Sequence, residues 1–180
     1  MTKLTAERLK EVLVYDPSTG MFSHRIARGR YKHIKPGTIV GSRHSEGYIV
    51  IDVDRKTYFA HRLAWLYLHG EHPSEDIDHV NGDRADNRAS NIRAATRSEN
   101  MQNLRGASKR STTGLLGVSK FRTKWASSIY TNGAKKHLGV FASAEEAHVA
   151  YLAAKAVMHP FSVTFTGADE GCISALVSLV

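Results

Sequence analysis

The stretch IDHVNGDRADNRASNIRAATRSEN, residues 77–100, decides how this chain is read. It holds Asp78, His79, Asn81, Asp83, Asp86, Asn87, Asn91 and Asn100, and too few apolar side chains to bury much surface. Asp78 and His79 are neighbours, so on a strand their side chains point to opposite faces, and only a bend or a strand end lets both address one site. Asn81-Gly82 supplies that bend. Asn91 follows His79 by twelve residues, near a return strand NIRAAT, and Asn100 follows it by twenty-one. Thr96 and Glu99 have capping-box spacing, so a helix is expected to begin near Arg97 with Asn100 in its first turn. Strand, loop, strand and helix would gather the four side chains.

Upstream, LTAERLKEVLVY spaces Leu4, Leu9, Val12 and Leu13 as on a short amphipathic helix, closed by the turn DPSTG at 16–20. The runs GMFSHRI, GTIVGS, GYIVIDVD and KTYFAH then predict a small antiparallel sheet, with Asp54-Arg55 as a tight turn. RLAWLYLH (62–69) carries Leu63, Leu66 and Tyr67 on one side of a helix that stops at Gly70. His61, beside that helix start, is read as a structural hydrogen-bonding residue and is not placed in the catalytic set.

Downstream, residues 105–113 are polar, glycine-containing and basic, the composition of a flexible linker. GLLGVSKF, KWASSIYT and KKHLGVF predict three strands, the last two joined at Asn132-Gly133. Ser143 and Glu146 form a second capping box, and Ala147, Tyr151, Ala154 and Met158 line one face of the following helix. Trp125, Phe141 and Tyr151 are expected to pack this thin core. The fold class is therefore α+β, with domains at 1–104 and 114–160, the linker at 105–113 and an unassigned tail at 161–180.

The net charge of +8 is unevenly spread. Residues 1–100 mix 16 basic with 13 acidic groups, whereas residues 101–137 hold Arg105, Lys109, Arg110, Lys120, Arg122, Lys124, Lys135 and Lys136 with no acidic residue. Such a block attracts a polyanion, most simply nucleic acid, because neutralising phosphates releases counterions; the partner expected for the whole chain is double-stranded DNA. The alternative is a solvated surface that keeps the chain soluble. A lone cysteine, Cys172, excludes an internal disulfide and any zinc site that needs two thiolates. No run reaches the roughly 18 uncharged apolar residues that span a bilayer, and MTKLTAERLKE lacks the apolar block of a secretion signal. The expectation is a soluble, cytoplasmic protein with no membrane and no disulfide-linked partner; the sequence sets no oligomeric state.

The DH at 78–79, SN at 90–91 and EN at 99–100, preceded by AHRLAW at 60–65, resemble HNH nucleases of the ββα-metal type, in the phage- and intron-encoded homing form. The resemblance covers roughly 58–103, with the ββα core at about 74–104. It implies a DNA endonuclease of a phage or its bacterial host, with His79 as general base, Asp78 and Asn100 as ligands of one divalent cation, and Asn91 as the pin of the loop that orients the imidazole. The chemistry agrees with that division. Neutral imidazole titrates near the working pH, and one carboxylate with one amide oxygen suits Mg2+, or Mn2+, better than zinc.

GLLGVSKF through AEEAHVAYLAAKAVM is similar to the AP2/ERF DNA-binding domain, on Gly117-Val118, Lys124-Trp125-Ala126, Leu138 to Phe141 and Ala144 to Tyr151. Leu116, Ser119, Phe121, Tyr130 and His137 stand where the plant domains carry groove-facing Arg or Trp. The resemblance thus implies phosphate contacts from Lys120, Arg122, Lys124 and Lys135.

Other readings stay open. An Asn/Asp/Gly-rich run is ordinarily a surface loop, since these residues bond their own backbone. A calcium loop starting at Asp76 fails, because Val80 and Asn87 fall at its fifth and twelfth positions. The second module could bind a protein, and the chain as a whole could be a DNA-binding regulator with a silent HNH fold.

Overall fold

The computed structural model describes residues 3–27, 34–104, 106–108 and 111–162. Arg105, Lys109, Arg110, Cys172 and most of the tail lie outside the described residues. The chain divides into two compact units, Met1–Arg97 and Ser98–Val180, so the expected linker falls inside the second.

The first unit opens with helix α1, Ala6–Val12, whose first turn is closed by the Thr5 hydroxyl accepting the Arg8 N–H at 3.2 Å. The helix ends earlier than its spacing predicts. Leu13–Asp16 is strand β1, because Val14 and Tyr15 are stiff residues that alternate exposed and buried along the pairing with strand β2, Met21–His24. The expected single sheet is two: β1–β2–β3, with β3 at Ile39–Val40, and β4–β5–β6, at Ser42–Arg43, Ile49–Val53 and Lys56–Phe59. Asp54 and Arg55 both take positive φ, 48° and 65°, the tight turn expected between β5 and β6.

Helix α2, Ala60–His69, starts two residues before the predicted Arg62 and ends at left-handed Gly70, whose N–H bonds the Leu66 carbonyl. The earlier start brings His61 onto its buried face with Ala64. Leu9, Leu13, Phe22, Ile51, Leu63 and Leu66 form the centre of the core, all nearly inaccessible. Strands β7, Asp76–His79, and β8, Ile92–Ala95, pair antiparallel; helix α3, Arg97–Gln102, begins where Thr96 and Glu99 predict, and all of it but Arg97 belongs to the second unit.

The second unit carries strands β9, Val118–Phe121, β10, Lys124–Thr131, and β11, Ala134–Phe141, in the order β11-β10-β9, followed by helix α4, Ala144–Met158. Asn132 and Gly133 take φ of 51° and 76°, as their hairpin signal predicts. Ser143 caps α4 by accepting the Glu146 N–H, while the Glu146 carboxylate reaches back to the N–H of Ala142. The buried face of α4 is Ala147, Tyr151 and Lys155. Lys155 replaces the expected Ala154 and Met158 there because its stem packs inside and its ammonium bonds the Leu104 carbonyl. Ile129, Ala147 and Tyr151 are the buried apolar residues of the described part of this unit, with Trp125 and Phe141 half-buried and directly opposite each other.

So small a core makes Gly117 a sensitive position. Its φ is +73°, and a Cβ there would run into the Tyr151 ring. Gly117→Ala is expected to destabilise the second unit by about 2–4 kcal/mol, combining left-handed strain with overpacking. Urea unfolding of the full chain checks this, and a loss below about 0.5 kcal/mol would contradict it. Among the described residues, no helix is long and apolar enough to cross a membrane.

Candidate active site

His79 is the last residue of β7, where the strand gives way to a turn closed by the Gly82 N–H on the His79 carbonyl at 2.8 Å. Ile77, Asp78 and His79 are all buried, so both faces of this strand end are covered. Across the pairing, Asp78 faces Arg93 and His79 faces Ile92. Arg93 donates from Nη2 and Nε to one oxygen of Asp78, Oδ2, at 2.9 and 3.1 Å.

The His79 imidazole is oriented by Asn87, a residue of the polar stretch to which the sequence assigns no role. Its Nε2 lies 3.2 Å from Asn87 Oδ1, and Asn87 Nδ2 donates to the Ala85 carbonyl at 3.1 Å. A carbonyl only accepts, so the amide must turn its NH2 toward Ala85 and its oxygen toward the ring. Nε2 then carries the hydrogen, and the neutral ring keeps its lone pair on Nδ1. Burial holds His79 below the ordinary imidazole range, against the Asn87 hydrogen bond and the carboxylates of Asp78, Asp83 and Asp86, which pull it up. A neutral imidazole in this tautomer has Nδ1 as its proton-accepting nitrogen.

Asn87 is itself buttressed from the N-terminal hairpin. Its carbonyl accepts the Tyr15 hydroxyl at 2.7 Å, the Ala89 N–H bonds the Pro17 carbonyl at 3.0 Å, and a Cβ at Gly20 would strike the Asn87–Arg88 backbone. Glycine at position 20 therefore allows a close approach that an alanine would block.

Asn91 closes the loop from the other side. Its Oδ1 accepts the Asn81 N–H at 2.8 Å and its Nδ2 donates to the Asp86 carbonyl at 2.7 Å, both across the mouth of the loop. The remaining polar side chains build turns: Asn81 and Asp83 each accept an N–H two residues on, and Asp86 binds the Arg88 guanidinium, which lowers its carboxyl to about 2. The surface-loop reading thus accounts for Asn81, Asp83 and Asp86.

A second imidazole lies beside the first. The His61 ring centroid is 5.1 Å from that of His79 at 80°, with Tyr48 at 5.2 Å and Phe59 stacked at 5.5 Å. The expected structural hydrogen bond is absent: among the described residues, buried Nδ1 of His61 has no partner. Burial pushes its pKa down to about 3, with the charges of His79 and Arg62 acting the same way. A depressed folded-state pKa means that the stability from keeping His61 neutral is whole above about pH 6.5 and drains away as pH falls toward 3, because the unfolded chain takes up the proton first. His61→Phe is expected to flatten the fall in stability between about pH 6.5 and 4. Urea midpoints across that range check it, and parallel curves for the two proteins would contradict it.

Among the described residues, no group of three or more His, Cys, Asp or Glu could hold a metal ion. Asp78 offers one carboxylate, and Asn100 sits on α3 in the second unit. Carboxylate and amide oxygens are donor types that suit a hard cation which keeps its waters, and they do not suit a closed zinc site.

Residues 58–102 match the family model described as HNH endonuclease. The chain is also similar to a protein of Acanthamoeba polyphaga mimivirus named "Uncharacterized HNH endonuclease L247", 29% identical over 111 residues that cover 57% of this chain. The chain spans 28% of that relative's length. No solved structure matches the chain significantly. The matched HNH segment takes in His61, Asp78, His79, Asn87, Asn91, Arg93 and Asn100, and leaves out Tyr15, Gly20 and Tyr48.

Beyond the HNH segment, register sorts the expected DNA contacts by face. Ser127 and Ile129 of β10 are buried, so Trp125, Ser127 and Ile129 share the face covered by α4. Lys120 is opposite Trp125 and Lys136 opposite Ile129, which puts both on the rims of that covered face. Lys124 and Lys135 pair with Phe121 and Tyr130 on the open face. Arg122 takes φ +55° in the β9–β10 turn, its guanidinium 5.7 Å from the Phe121 ring centre.

Proposed function

We propose that this chain is a metal-dependent DNA endonuclease of the homing HNH type, directed to DNA by an AP2/ERF-like second module. The observation that carries the proposal is His79, buried and neutral, with Nε2 committed to Asn87 and its lone pair on Nδ1. Nδ1 takes a proton from water as the water oxygen attacks phosphorus. The bond from phosphorus to the 3′ oxygen then breaks, leaving 5′-phosphate and 3′-hydroxyl ends, the 3′ oxygen being protonated from solvent. A divalent cation of the Mg2+ or Mn2+ class, held by Asp78 and Asn100, would supply positive charge to the phosphoryl oxygens and the departing 3′ oxygen. Asn91 keeps the loop closed so that Asn87 stays against the ring.

In the second unit, Lys124 and Lys135 on the open sheet face would contact phosphates, with Lys120, Lys136 and Arg122 at its margins and Arg105, Lys109 and Arg110 in the preceding segment. Tethering raises the local concentration of the catalytic segment at its site, so weak contacts by that segment suffice.

The regulator reading has one observation in its favour: the Arg93 guanidinium already neutralises Asp78. Plasmid nicking separates the two. Cleavage in Mg2+ that EDTA abolishes is expected of the nuclease; binding without cleavage in Mg2+ or Mn2+, on the natural site included, would support the regulator.

A further inference from the structure

The side of the second unit's sheet that α4 leaves uncovered shows Phe121 at 50% exposure, Tyr130 at 67% and Val140 at 42%. Phosphate contacts need none of these side chains. Register arranges them. Val140 pairs with Ala126 on one side of the central strand β10 and Ser119 pairs with it on the other, while Phe121 lies two residues along β9 from Ser119, diagonal to Ala126. An apolar row of Phe121, Ala126 and Val140 therefore crosses all three strands. Lys124, opposite Phe121, and Tyr130, opposite Lys135, mark the two ends of this face of β10, roughly 20 Å apart. The Tyr130 end is held from behind, where buried His159 donates from Nε2 to the Tyr130 carbonyl at 2.8 Å.

Charge selects the occupant. No open-face position of these strands holds Asp or Glu, so a polyanion meets only positive charge, whereas a second copy laid on the same face would set lysine against lysine. Arg, Asn and Gln, which grip guanine or adenine edges with paired hydrogen bonds, are missing from these positions as well. The middle of the face matches instead the apolar group that the major groove displays, the C5 methyl of thymine. Three strands about 4.8 Å apart make a sheet roughly 10 Å across, which approaches the floor of a groove about 12 Å wide only where its leading side chains are short. Ser119, Ala126 and Ser128 are short. We propose, on the reading of the second module as DNA-binding, that this face reads duplex DNA through the methyl groups of thymine, with Phe121, Ala126 and Val140 against them and Lys124 and Lys135 on the flanking phosphates. Sites rich in thymine are then favoured by burial of methyls and not by hydrogen bonds to base edges.

The test uses the full chain in EDTA, so that binding is read without cleavage, on short synthetic duplexes. Wild type is expected to bind alternating A·T duplex about tenfold tighter than the same duplex with deoxyuridine in place of thymidine, since each buried methyl is worth about three- to fourfold. A G·C duplex carrying 5-methylcytosine should likewise bind tighter than its unmethylated form, which separates the methyl from the groove shape of A·T sequences. Val140→Ser and Phe121→Ser, both at exposed positions, should each cut the thymine-over-uracil preference to about threefold or less while the steep salt dependence stays. Equal affinity for the thymine and uracil duplexes overturns the inference and leaves the module a DNA binder, as does a preference that both variants keep in full. Tightest binding to unmethylated G·C overturns it too, in favour of guanine contacts by the lysines or by His137, which pairs with Ser128 on the same face. Tighter binding to the unpaired strand than to duplex overturns it in favour of bases stacked on Phe121 and Tyr130. Binding to no duplex at all removes the DNA-binding reading of the module, and this inference with it, and leaves the face to a protein.

Discussion

His79→Ala is expected to cut DNA about 10²–10⁴ times more slowly than wild type in single turnover, with DNA affinity within about threefold. The loss follows from removing the Nδ1 lone pair. No other side chain takes over, because the neighbouring imidazole of His61, with a pKa of about 3, is a poor base and its rings and wall contacts keep it packed. Asn87 loses its donor partner but keeps its bond to Ala85, so the loop should hold its shape and the effect should stay in kcat. Cleavage within threefold of wild type would remove His79 from the role of base.

The second large effect is expected at Asn91. Truncating it to alanine strands the Asn81 N–H and the Asp86 carbonyl, both at the mouth of the loop, and each such loss costs about 1–3 kcal/mol. Asn91→Ala should therefore lose about 2–4 kcal/mol of stability and at least about tenfold in kcat, because Asn87 no longer sits on a fixed loop. Asn91→Asp keeps the acceptor for Asn81 but turns an oxygen toward the Asp86 carbonyl, so it should fall between the two. Hydrogen exchange over 80–88 gives the local readout, and a variant with protection and rate both intact would show that the loop needs no pin.

Local chemistry made part of this architecture legible. Asn132-Gly133, Gly70 and Ser143 each demand a particular backbone geometry from their neighbours alone, and each stands where its spacing predicts. The places where sequence reasoning slipped are decided by partners far along the chain. Leu13–Asp16 has the spacing to continue α1 but becomes a strand because β2 pairs with it, and Lys155 looks like a solvent residue until the Leu104 carbonyl meets its ammonium. The two three-stranded sheets of the first unit are built from similar runs, and only their pairing separates them.

The candidate site divides the same way. The Asn/Asp spacing around His79 marks out the loop, since turn residues bond within a few positions of themselves. Asn87 gives no such sign: its place depends on Tyr15 and Pro17, some 70 residues earlier in the chain. His61, read from sequence as a structural hydrogen-bonding residue, owes its place to ring contacts with Tyr48, Phe59 and His79 that only the fold brings together, and Arg93 owes its own to the register that sets it opposite Asp78.

The most direct test runs single-turnover cleavage by the wild-type chain in water enriched in heavy oxygen, with Mg2+, and weighs the product ends. Proton abstraction by His79 from an attacking water predicts one heavy oxygen in each new 5′-phosphate, opposite an unlabelled 3′-hydroxyl. An unlabelled 5′-phosphate, or phosphate left on the 3′ side, would contradict it.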